Sequence, residues 1–61
     1  MQDNYDKYED LRHRGASAEV ACLEAASDGR DFAFQIRMLR TVFGKDIGDA
    51  RDIAANALLK S

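Results

Sequence analysis

Apolar residues recur along this chain at the three- and four-residue steps of a helix, and glycines punctuate the recurrence. Tyr5, Tyr8 and Leu11 follow one another three apart, as do Val20, Leu23 and Ala26, with Cys22 beside them. The clearest stripe is Phe32, Ile36, Leu39 and Phe43, widened by Val42. Such spacing gathers its members on one side of a helix. A fourth stripe runs through Ile47, Ala50, Ile53, Ala54, Ala57 and Leu58. No short window alternates polar and apolar as a half-buried strand does, and alanine-rich, β-branch-poor segments favour helix.

The punctuation agrees with the periodicity. Gly15, Gly29 and Gly44 each fall just after a stripe, where a helix stops on a left-handed residue. Ser17, Asp31 and Asp46 come next, each able to accept the orphan amide hydrogens of a following first turn. The pattern predicts helices over about Asn4 to Arg14, Ser17 to about Ser27, Asp31 to Phe43, and from Asp46 onward. The expected fold class is all-α: a compact bundle of about four short helices, the third central, with a tight helix 3–helix 4 hairpin. Residues 1–61 then form a single small helical domain.

Two positions break the pattern. Gly48 falls in the first turn of the fourth helix, where glycine costs up to about 1 kcal/mol relative to alanine. Either that turn is frayed, or the third helix packs too closely for a side chain. Phe34 stands two residues from both Phe32 and Ile36 and so points away from their stripe. It either packs against the first or second helix, or stands exposed as an anchor for a partner or a second copy.

Composition narrows the function classes. Hydrophobic residues make up 46% and charged residues 33%, a balance that fits a globular chain rather than a disordered one. In so short a chain the entropy cost, about 1.5 kcal/mol per ordered residue, nearly cancels the hydrophobic gain. Capped helices, a tight core or self-association must therefore supply stability. No apolar run approaches the roughly 18 residues of a membrane span. The start, MQDNYDKYED, has neither signal- nor transit-peptide character, so a cytoplasmic location is expected. The single cysteine, Cys22, leaves no internal disulfide and no multi-cysteine zinc site, and its apolar neighbours make it a small buried hydrophobe. His13, between Arg12 and Arg14, suits the C-terminal end of a helix dipole. Asp3, Asp6, Glu9 and Asp10 lack the glycine-turned loop of a calcium site, and the glycines are too scattered for a phosphate loop. Neither catalysis, nor a cofactor, nor a metal is expected.

Residues 36–54 read IRMLRTVFGKDIGDARDIA. This segment resembles the helix-turn-helix part of the C-terminal domain of the bacterial ribosomal stalk protein and its small stand-alone relatives. Ile36-Arg37 stands for the family's Ile-Lys pair, Arg40 for its following Arg, and Gly44 for its turn glycine. Ile47 takes the apolar place after the turn, and Asp49-Ala50-Arg51 stands for Glu-Ala-Lys. Phe43 replaces the family's Thr, and Asp46 replaces a second glycine. The N-terminal helical hairpin of elongation factor Ts is similar in the same order of residues. The stalk domain surrounds its hairpin with strands, whereas residues 1–30 here offer none; the resemblance implies a packed hairpin. In the stalk family the basic positions of that hairpin meet translational GTPases, which implies a partner-facing role for Arg37, Arg40 and Arg51.

Charge is unevenly spread. Residues 1–30 carry net −3 and residues 31–61 net +1, giving −2 for the chain. Arg37 and Arg40 share a helix face, and an antiparallel hairpin can bring Arg51 and the turn residue Lys45 alongside. The expected function is a non-catalytic protein-interaction module. It docks another protein through Arg37, Arg40, Lys45 and Arg51, or forms a homodimer through an apolar helical face. The ordinary alternative for these cations is a solvated face ion-paired to Asp49 and Asp52. A nucleic-acid-binding regulator using helix two or the hairpin is the competing class, since Leu11 to Ala21 has the glycine turn of a helix-turn-helix reader. Its second helix, however, bears Glu19 and Glu24 and no cation, which repels phosphate.

Overall fold

A computed structural model describes residues 4–60. They form α1 (Asp6–His13), α2 (Ala18–Ser27), α3 (Phe32–Val42) and α4 (Ile47–Lys60). No strand occurs among the described residues. The Cα radius of gyration is 10.1 Å, against about 10.5 Å for a compact chain of this length.

Short polar side chains begin the helices as the sequence predicts. The Val20 amide donates to Ser17 Oγ at 3.2 Å, the Phe34 amide to Asp31 Oδ1 at 2.8 Å, and the Asp49 amide to Asp46 Oδ1 at 2.8 Å. At α1 the Asp6 amide donates to Asn4 Oδ1 at 2.9 Å. The helix ends are equally local. Gly29 adopts φ +81°, which lets its own amide reach the Ala26 carbonyl and the Arg30 amide reach that of Ala25. Gly44, at φ +65°, turns the chain so that the Lys45 amide closes on the Leu39 carbonyl at 3.2 Å. Each junction therefore satisfies its own backbone within a few residues.

Packing departs from the stripes. In α2 the buried residues are Ala18, Ala21, Cys22 and Ala25, while Val20 is exposed and Leu23 half-buried. Alanine, valine, leucine and cysteine surround this helix almost completely, so periodicity selects no face; the partner does. That partner is α4, whose buried residues are Ala50, Ala54 and Ala57. Small side chains on both helices let the backbones approach closely. Ile47 and Leu58 of the expected α4 stripe stay exposed.

In α3 the inward residues are Phe34, Gln35, Met38, Leu39 and Val42. Phe32, expected inside, is 40% exposed, and Ile36 and Phe43 are half-buried. The cause is that α3 packs against α1, α2 and α4 together, so its buried arc spans roughly 140°, from Phe34 round to Leu39 with Met38, Val42 and Gln35 between them. Phe34 is 3% exposed and lies against α1, its ring 5.3 Å from Tyr5 and 5.7 Å from Tyr8 between centroids. Gln35 enters the core because its Nε2 donates to the Arg30 carbonyl at 3.1 Å, tying α3 to the preceding turn. At Gly48 an added Cβ would meet only Asp46 Oδ1 at 3.6 Å, so close approach of α3 does not account for the glycine.

Candidate functional site

The outward arc of α3 carries Ala33, Arg37, Arg40 and Thr41, and the helix holds no carboxylate. Arg37 and Arg40 lie one turn apart there, and the Gly44 turn carries Lys45 round to the same side. The three cations line a depression of about 570 Å³ whose remaining walls are Tyr5, Thr41, Asp46 and Ile47. Three of the four basic residues expected to act together are thus brought together. Arg51 is not in this lining: it stands one turn further into α4 than Ile47, and the depression opens at the α3–α4 turn. No ion pair joins Arg40, Lys45 or Arg51 to Asp49 or Asp52 among the described residues. The one carboxylate in the lining, Asp46, is the N-cap of α4.

Tyr5 and Ile47 also belong to this site, and the charge pattern missed both. Ile47 is 55% exposed, a large apolar side chain at the mouth of a cationic depression. Its place just after the cap of α4 was a usable signal. Tyr5, at the N-cap of α1, arrives from a distance in sequence, and nothing local to residues 36–54 announces it. Arg37 further borders a second depression of about 230 Å³, lined also by Gly29, Arg30, Asp31 and Phe34. The Arg30 guanidinium lies over the Phe34 ring at 4.8 Å from its centroid.

What holds α1, and with it Tyr5, in place is a mixed polar and aromatic clasp. Lys7 Nζ donates to both carboxylate oxygens of Asp28, at 2.9 and 2.7 Å, and lies 3.4 Å from Glu24 Oε2. The Tyr8 hydroxyl donates to Asp28 Oδ2 at 2.8 Å. The hydrogen bonds from Lys7 and then Tyr8 hold the Asp28 carboxyl below its ordinary range, and the same carboxylate raises the Lys7 ammonium. Burial, reinforced by Asp28, raises the Tyr8 phenol.

The remaining polar candidates lie apart from the depression. Cys22 is fully buried, and desolvation, with a smaller contribution from Glu19, pushes its thiol up to about 11, the opposite of an activated nucleophile. His13 is exposed in the last turn of α1. The outer side of α2 shows Val20, Glu24 and Ser27 and no cation, and Glu24 is engaged by Lys7. Among the described residues no three of His, Cys, Asp and Glu converge as a metal-binding group, and no helix is long and apolar enough to cross a membrane. No protein family, no curated protein and no solved structure matches the chain.

Proposed function

We propose that this chain is a protein-interaction module without catalytic chemistry, docking a partner at the α3–α4 turn through Arg37, Arg40 and Lys45. The observation that carries the reading is their convergence on one depression that also exposes an apolar side chain, Ile47. The cations of the lining steer an oppositely charged surface and set its register, while the apolar side chain supplies desolvation energy. Arg51, on the next turn of α4, lies outside this lining.

Self-association through an apolar face draws less support. The large apolar side chains left exposed, Val20, Phe32, Ile47, Leu58 and Leu59, are divided among α2, α3 and α4. A stable dimer covers about 800 Å² per partner, near a fifth of this molecule. A nucleic-acid reader built on α2 draws less support, because the outer side of that helix presents Glu24 and no cation.

The test is charge reversal with a structural control. Arg40→Glu with Lys45→Glu should leave the helical circular dichroism unchanged and lower the thermal midpoint only by what an acidic group costs in the last turn of α3, because both side chains are exposed. The double variant, immobilised beside the wild type, should lose a partner that the wild type retains from a lysate of its own host. Equal recovery by both, or unfolding of the variant, refutes the docking reading.

A further inference from the structure

The docking face has a chemistry that selects among partners, and this step rests on the reading above. From Phe32 through Lys45 the chain contains no carboxylate, so the outward side of α3 is cationic without interruption. Asp46, at the edge of the depression, has Oδ1 turned to the Asp49 amide at 2.8 Å, so part of its charge is spent on the first turn of α4. The N-terminus of α4 opens on the same depression and adds the positive end of a helix dipole. Through Arg37 the cations continue to the second depression and to Arg30 in the turn before α3; Asp31, in the same lining, is the α3 N-cap, with Oδ1 accepting from the Phe34 amide at 2.8 Å. Within this strip Ile47 is the one large aliphatic side chain, with Tyr5 alongside.

We infer that this face takes an acidic peptide segment bearing one apolar side chain. Its carboxylates meet Arg40 and Lys45, with Arg37 and Arg30 beyond, and its apolar side chain rests on Ile47 beside Tyr5. The cations are spread along more than a turn of helix and around a bend, a spacing suited to successive carboxylates of a peptide rather than to one compact anion. Single-stranded nucleic acid would ask for a series of stacking rings, and Tyr5 is the one aromatic in the depression.

The experiment titrates the full chain against a fluorescently labelled peptide of Glu and Asp with a single central leucine, read by anisotropy at low and at moderate salt. The expected result is saturable binding that weakens with salt. It should weaken about tenfold when Arg40→Gln and Lys45→Gln are combined, as two exposed charge contacts allow. Replacing the leucine by alanine, or Ile47→Ala in the chain, should weaken it several-fold, roughly as one lost apolar contact would. The glutamine variants avoid opposing the α3 dipole, and an unchanged thermal midpoint shows that they fold. The inference is overturned by equal binding to wild type and glutamine variant, or by a single-stranded oligonucleotide of equal charge binding as tightly. It is also overturned by light scattering that shows a doubled mass for the wild type and not for the variant. Should the peptide fail while partner capture still depends on Arg40 and Lys45, this inference alone falls. Should capture ignore those residues, the docking reading falls with it.

Discussion

Replacing Phe34 by alanine, beside the same change at Phe32, tests which side of α3 faces inward. Phe34 is 3% exposed and Phe32 40%. Truncating a buried phenylalanine costs about 3–5 kcal/mol. Phe34 belongs in the upper part of that range, since its ring also loses Tyr5, Tyr8 and the overlying Arg30. Phe32 keeps much of its surface in water, and the same truncation there costs about 1–2 kcal/mol when full burial is worth about 1.5–3. The two variants should therefore differ by at least about 2 kcal/mol. A domain of this length has a total stability of about 3–9 kcal/mol, so Phe34→Ala removes a third of it or more. In a thermal melt the gap corresponds to about 8–16 °C. Urea unfolding followed by helical circular dichroism reads the difference, and hydrogen exchange adds a regional signature. With Phe34 gone, the amides of α1 should lose protection first, because Phe34 is the surface on which Tyr5 and Tyr8 rest. Equal midpoints for the two variants, or a larger loss at Phe32, would refute the assignment of the inner face.

Three further outcomes follow from the same packing. Ala54→Leu should cost about 1–3 kcal/mol in urea unfolding, because Ala54 is fully buried and α2 meets α4 there through small residues; a neutral result would mean the helices are further apart than described. Gly48→Ala should stabilise by up to about 1 kcal/mol, since the new Cβ meets only Asp46 Oδ1 at 3.6 Å, and a lowered thermal midpoint would contradict that open space. Stability from the clasp should be present above about pH 4 and fall as Asp28 is protonated through its lowered native value. At the other end it should fall as pH rises past about 10, because Lys7 and Tyr8 hold their protons more tightly in the native state than in the unfolded one. Asp28→Asn should flatten the acid limb of urea midpoints measured across pH, and an unaltered limb would remove Asp28 from the account.

The junctions were the legible part of the fold. Gly29 and Gly44 with Asp31 and Asp46 act within a few residues of themselves, so their chemistry is complete in the local sequence. Faces were less legible, for two different reasons. α2 is apolar nearly all round, and its inner side is chosen by the alanines of α4, remote in sequence. α3 has a clear stripe, yet three neighbouring helices widen and rotate its buried arc, bringing in Phe34 and Gln35 and leaving Phe32 outside. The candidate site shows the same division. Arg37, Arg40 and Lys45 belong to one helix and its turn, so spacing alone brings them together. Arg51 depends on how far along α4 the depression reaches, and Tyr5 on where α1 docks, neither of which is local.

The position of α4 bears on how the chain acquires its shape during synthesis. It packs against both α2 and α3, and of the four helices it is the last to be made. Until it emerges, α2 and α3 can meet only each other and α1, and whatever of them faces α4 stays open to water. At rates of about 5–20 residues per second, the stretch from Ser27 to Ala54 takes a few seconds to appear. Through that interval three short helices lack much of the packing that sustains them in water, and the final turns act as the closing stone rather than as an appendage.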